Sequence, residues 1–507
     1  MTTPYRAIAR IYLLAAILVF GTACGDHPAT RTATENGGVE ARIARVADGL
    51  QQPLVIEGRP VESWSIGERM EQFSVPAVSV AVIDQGELAW ARAWGVVEAG
   101  TDEPVTTETI FQAGSVSKPV TALLALSLVG EGKLDLDRPV NEVLHSWQVP
   151  ENEFTRTQPV TLRHVITHQA GFTPFSYLIP RDQTEVPGMA ELLAGGIREW
   201  PVIEVEFVPG SRHAYSNAGY CALQLLLEET SGLNLHQLAT RRIFGPLEMN
   251  HSHFDEPLSP EILATAASGH TRNRSGDGGR RDAVPVEGKA KIAPAATGGL
   301  WSTPTDLARV AVELTRAWRG ESEKVVSPGL ARDFLTPQVE NEGLGIYLLG
   351  EGPTLRARHG GGMVGFVCLF VFYPNTGQGA VLMSNSSGGR WLQQELLAAI
   401  AQEYEWPGYP VRRTLGKSTP EQLQELVGVY SLDSSPKTTF TVTIENGAAI
   451  GQINKYPTFE MESTTERDLY VLPRESLEVL FRRGEDGTIA RVTLRRSGDS
   501  GNSYSRR

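Results

Sequence analysis

At 507 residues the chain exceeds the usual size of one domain, so a body of about 250 to 350 residues with a smaller module attached is the natural division. Its 41% hydrophobic and 21% charged content excludes wholesale disorder and a polytopic membrane protein. The formal net charge of -13 is spread along the chain and no long lysine or arginine run occurs, so nucleic acid is excluded as a partner.

Arg6 and Arg10 precede an apolar run from Ile11 to Phe20, and Gly21-Thr22-Ala23 stand before Cys24. A short apolar run between basic and small residues is the pattern of a secretory signal, too short to span a bilayer. It predicts a signal peptide over 1–24 and an exported product in the periplasm or cell envelope. Cys24 resembles the lipobox cysteine of bacterial lipoproteins, which implies membrane attachment through a lipidated thiol, although Gly21 stands where leucine is usual. Residues 25–50, rich in Gly, Thr, Ala and charge, read as a flexible tether. Cys221 and Cys368 lie in apolar runs and read as buried free thiols, with a disulfide between them as the alternative in an oxidising compartment.

Val78–Ile83 and Leu88–Val96 are β-type runs around Asp84-Gln85-Gly86, which predicts an antiparallel hairpin. From Ser115 to Gly130 apolar residues recur at helical spacing, with Pro119 tolerable in a first turn whose N–H groups lack intrahelical partners. Further helical patterns cover 161–168, 218–230, 235–243 and 305–318. Strand patterns follow over 343–349, 364–373 and 379–384, then an amphipathic helix over 391–404. Strands at both ends with helices between them predict an α+β body over 55–406, with a cleft between its lobes. Residues 273–281 read as a surface loop, 407–420 as a linker, and 421–507 as a small all-β, barrel-like domain.

A serine hydroxyl is a poor nucleophile until a neighbour takes its proton, and a lysine three residues on lies one helical turn away on the same face. Ser115-Val116-Ser117-Lys118 has that spacing, but Ser-x-x-Lys arises by chance roughly once in a chain of this length. Ser434-Ser435-Pro436-Lys437 is such a chance copy, with no helix behind it. Ser115 differs in its company: Tyr215-Ser216-Asn217 before a helical run, and His359-Gly360-Gly361-Gly362 before a strand.

In this order the three elements resemble the motifs of the serine β-lactamase-related family: class C β-lactamases, DD-peptidases and related esterases. The likeness covers roughly residues 60 to 405 and includes Phe111–Lys118, Thr161–Gly171, Ile243–Met249 and Gly298–Ala308, with Glu248 where the family usually has glycine. It implies a β-lactamase/transpeptidase-like fold and an acyl-enzyme mechanism without a cofactor. It also implies Ser115 as nucleophile, with Lys118 and Tyr215 moving its proton in an order left open. Asn217, His359, Gly361 and Gly362 would bind substrate, with the backbone N–H groups of Ser115 and Gly362 as oxyanion donors. His359 stands where β-lactamases carry lysine to meet the substrate's carboxylate. A largely neutral imidazole makes a weaker anion site and implies weak β-lactam turnover, with esters, amides or D-amino-acid peptides as better substrates.

Plainer readings stand beside these. Ser115 by itself suits a helix cap, Tyr215 a core position, and His359 support for a strand end. His164 and His168 are four apart, but Val165 replaces a metalloprotease glutamate, and His251, His253 and Asp255 match no metal spacing, so no metal is assigned. Gly498-Asp499-Ser500-Gly501 copies a protease string in a polar tail by chance. The rival function is a non-catalytic protein that binds a peptidoglycan fragment or penicillin in the same cleft. Oligomeric state is not legible.

Overall fold

The computed structural model describes residues 33–173, 187–195, 201–254, 258–273, 282–286, 294–433, 435–496 and 501–507. The signal and Cys24, most of the 273–281 loop, Asp255 and most of the 498–501 string lie outside these residues.

Helix α1 (Ala33–Ala47) occupies most of the stretch read as a tether. Ile43 and Val46 are buried, and Arg45 pairs with Glu403, so tertiary packing orders a segment whose composition favours flexibility. The predicted hairpin is present as β1 (Ala77–Asp84) and β2 (Glu87–Gly95). After it come the helices α2 (Ser117–Gly130), α3 (Asn217–Ser231) and α4 (Pro304–Arg319). Their ends follow local chemistry. Ser216 caps α3, Thr303 caps α4 with Pro304 at its first position, and Gly232 and Gly320 close the two helices in left-handed conformation.

Strands β3 (Tyr347–Leu349), β4 (Arg356–Met363), β5 (Phe366–Tyr373) and β6 (Gln378–Ser384) join the hairpin in an antiparallel sheet of order β2-β1-β6-β5-β4-β3. The run predicted over 343–349 is strand only at its end. Gly345, in left-handed conformation, brings the backbone against Tyr220 and Ala122, where a Cβ would stand 2.6 Å and 2.8 Å from their atoms. The two-residue period sorts each strand's side chains between two cores. Ala77, Ala81, Ile83, Phe370 and Met383 face the helical lobe, while Val78, Val80, Val82, Leu369 and Leu382 face α5 (Gly389–Glu403) and α1.

Residues 407–420 are more than a linker, since Val411–Arg413 pairs in parallel with Leu54–Ile56. Beyond them eight strands form a closed antiparallel barrel, from β7 (Gly428–Leu432) through β8 (Ser435–Glu445), β9 (Ala448–Ile453), β10 (Phe459–Ser463), β11 (Leu469–Leu472), β12 (Leu477–Arg483) and β13 (Ile489–Arg496) to β14 (Asn502–Arg506). Pairing of β7 with β14 closes the ring, so neither terminal strand of the barrel is left as an unpaired edge. Tyr430, Phe440, Phe481 and Val492 fill it.

Candidate active site

Ser115 sits in a single 3-10 turn (Gly114–Val116) that leads into α2 without a side-chain cap. This excludes the helix-cap reading. Gly114 has φ +54, and a Cβ there would lie 2.7 Å from the backbone nitrogen of Gly362. A Cβ on Gly361 would lie 1.8 Å from the carbonyl oxygen of Ala113. The serine turn therefore rests directly on β4. From His359 to Met363, β4 pairs with β5 on one side and has no strand on the other among the described residues, so this edge is open to a ligand.

Lys118, one turn on, is fully buried. Its Nζ lies 3.2 Å from Ser115 Oγ and donates to the carbonyl of Thr297 at 2.7 Å. Burial lowers its pKa from 10.5 to about 7, the effect of stripping water from an ammonium with no carboxylate beside it. Thr297 lies in the short helix Ala295–Gly298, which Gln224 and Thr121 hold through the Ala296 backbone. Motif reading missed that carbonyl, because its role belongs to the backbone rather than the side chain.

Tyr215 is 38% exposed as a residue, and Lys118 Nζ lies 4.9 Å from its ring centroid. Burial of the phenol end pushes its pKa up to about 12, an effect that a hydrogen bond with Ser115 partly offsets and the nearby Glu342 carboxyl reinforces. Asn217 opens α3 two residues further on. Behind the tyrosine lies His168, which helical periodicity over 161–168 had placed on the same helix as His164. The helix Leu162–Ile166 ends before it, His168 has φ 56, and its ring lies tilted against that of Tyr215, with centroids 4.3 Å apart. Its Nδ1 accepts from the Ser216 N–H at 3.1 Å, and burial pushes its pKa well down, so it holds the loop as a neutral acceptor.

His359 lies within the packed sheet. It is 2% exposed, its Nδ1 meets the Gly360 carbonyl at 2.9 Å, and its Nε2 has no hydrogen-bond partner among the described residues. Burial first, then the nearby Lys118, lowers its pKa to about 3. It is thus a buried neutral ring, the charge state that the sequence reading assumed when it expected a weak anion site. Among the described residues no cluster of His, Cys, Asp or Glu could hold a metal ion.

The sequence reading also passed over Glu342. It is 1% exposed, with neither carboxyl oxygen hydrogen-bonded among the described residues, and His213 Nε2 is 4.0 Å away. Burial raises its pKa to about 8. An activity that needs neutral Lys118 should rise with pH through about 7, then decline as Glu342 ionises near 8 and lifts the Tyr215 phenol further out of reach. In Glu342→Gln the fall above pH 8 should disappear while the rise stays. A profile identical to wild type would show that this carboxyl does not act on the site.

Residues 65–405 match the family model described as Beta-lactamase. The chain belongs to the β-lactamase family. It is 31% identical over 192 residues to a β-lactamase of Escherichia coli K12, covering 38% of this chain and 47% of that protein, so it spans about half that relative's length. It is 26% identical over 322 residues to a teichoic acid D-alanine hydrolase of Staphylococcus aureus MRSA252, covering 63% of this chain and 73% of that one. The solved structure of SurE superposes with a TM-score of 0.59 at 22% identity, covering 93% of this chain and 100% of the other, a likeness of fold that extends into the barrel. The body's β-lactamase-type fold and the small all-β domain after it are as the sequence predicted.

Proposed function

We propose that the chain is an exported serine hydrolase that cleaves esters or amides, D-amino-acid peptides among them, through an acyl-enzyme on Ser115, with weak activity on β-lactams. The observation that carries this is the contact of Ser115 Oγ with a buried lysine nitrogen at 3.2 Å whose pKa is near neutrality. In this reading neutral Lys118 takes the serine proton as Oγ bonds to the acyl carbon. Tyr215, with a pKa of about 12, stays protonated and relays a proton to the departing amine or alcohol. Water then attacks the acyl-enzyme by the reverse path, releasing acid and free Ser115. Backbone amides of Ser115 and Gly362 are the oxyanion donors, Gly361 lets the strand approach them, and Asn217 orients the acyl amide. The names of the relatives, a β-lactamase and a D-alanine hydrolase, favour acyl chemistry next to a D-centre. The run from Ile11 to Phe20 before Cys24 supports export with a lipid anchor.

The deciding measurement is intact-protein mass after treatment with a fluorophosphonate and, separately, a penicillin. A one-to-one adduct in wild type that is absent in Ser115→Ala is expected. Wild type unmodified by either reagent would favour the non-catalytic binding protein.

A further inference from the structure

The Ser-x-x-Lys spacing leaves its two middle residues without a role, and in this chain they differ. Val116 is an apolar member of the core. Ser117 is polar and fully buried, and its hydroxyl is used twice: it donates to the Gly114 carbonyl at 2.7 Å and accepts from the Leu300 N–H at 3.0 Å. A buried hydroxyl engaged by two backbone groups is a fixed joint, because removing it strands both of them away from water.

What the joint connects gives it meaning. Gly114 opens the 3-10 turn that carries Ser115, and no side-chain cap holds that turn. Leu300 follows the short helix Ala295–Gly298, in which the Thr297 carbonyl receives the Lys118 amine at 2.7 Å. The Leu300 carbonyl accepts from the Ala113 N–H at 2.8 Å, so Leu300 is tied to the serine segment through both of its backbone groups. Lys118 Nζ stands between Ser115 Oγ at 3.2 Å and the Thr297 carbonyl, one on each side of the joint. Further along α2, Thr121 Oγ1 meets the Ser117 carbonyl at 2.9 Å and the Ala296 carbonyl at 3.3 Å, a second and longer link to the same short helix.

We infer that Ser117 is a positioning residue for acyl transfer: its hydroxyl sets the spacing between the serine turn and the carbonyl seat of Lys118, and through them the Ser115–Lys118 contact. The inference rests on the hydrolase reading for the reaction that is positioned. Without the hydroxyl the turn and the seat lose their common reference, and the amine follows the seat. Catalysis falls steeply with such displacement, by about 10²-fold for roughly 1 Å.

Full-length variants are compared with wild type by the second-order rate of fluorophosphonate labelling, by kcat and KM on p-nitrophenyl acetate, and by melting temperature. Ser117→Ala should label roughly 10- to 100-fold more slowly and lose a similar factor in kcat, with KM held within about twofold. Ser117→Thr, whose Oγ1 can reach the same carbonyl three residues back, should recover to within about threefold of wild type. Ser127 supplies the control on the same helix, since it is buried and donates to the Leu124 carbonyl, also three residues back, at 2.7 Å. Ser127→Ala should melt lower than wild type and label at the wild-type rate. If Ser117→Ala folds poorly, Thr121→Val decides instead, because it removes only the longer link and should slow labelling by about twofold to fivefold. Labelling of Ser117→Ala at the wild-type rate would overturn the inference, as would an equal loss in Ser127→Ala or no recovery in Ser117→Thr; each leaves the hydrolase reading standing. Wild type that does not label would instead remove the hydrolase reading, and the positioning role with it.

Discussion

Lys118→Met is expected to lower kcat/KM by roughly 10³- to 10⁴-fold, because it removes the amine that takes the Ser115 proton in the proposed mechanism. Methionine fills the same buried channel without a charge, so the loss belongs to chemistry and not to folding. Stability should move the other way. Folding lowers the lysine pKa from 10.5 to about 7, so the unfolded chain binds the extra proton between those values. The buried lysine therefore opposes folding by roughly 4 to 5 kcal/mol below pH 7, and this opposition fades as pH rises toward 10.5. At pH 7 the variant should melt higher than wild type and react with fluorophosphonate far more slowly. Unchanged turnover would hand the base role to Tyr215, and a lower melting temperature would mean that the Thr297 contact outweighs desolvation.

Gly361→Ala is expected to cost 10²- to 10³-fold in kcat, about the loss of one oxyanion donor. Its Cβ would meet the Ala113 carbonyl oxygen at 1.8 Å, and both atoms belong to packed backbone, so β4 and the serine turn must part. The neighbouring glycines provide the control. A Cβ on Gly360 meets nothing within 4 Å, and one on Gly362 meets only the Arg390 side chain at 3.7 Å. Gly360→Ala should thus retain nearly wild-type kcat and melting temperature. If the two alanine variants behaved alike, close contact between strand and turn would not explain the glycine.

Much of this was legible from local pattern. The hairpin of β1 and β2 followed from alternating apolar residues around Asp84-Gln85-Gly86, and Ser115 with Lys118 followed from one helical turn of spacing. What escaped depends on distant partners. Helix α1 has few apolar residues, and Ile43 and Val46 find their cover on elements more than 300 residues away, including Leu396 and Ile400. Glu342 reads as an ordinary polar residue before a strand until Tyr215, Tyr220 and Tyr347 close around it. His359 illustrates the limit from the other side. Its motif position was visible, but whether an imidazole carries charge is decided by burial, which no spacing encodes.

The parallel pairing of Leu54–Ile56 with Val411–Arg413 has a practical consequence. Chain leading into the body and chain leaving it are stitched side by side, and neighbouring contacts reach the barrel: Gln52 bonds Ser476, and Arg59 pairs with Glu462. The family match begins only at residue 65. Anyone trimming the protein to that boundary would keep every motif residue and still cut the suture, leaving the barrel on a single strand of chain, free to swing like a gate off one of its hinges.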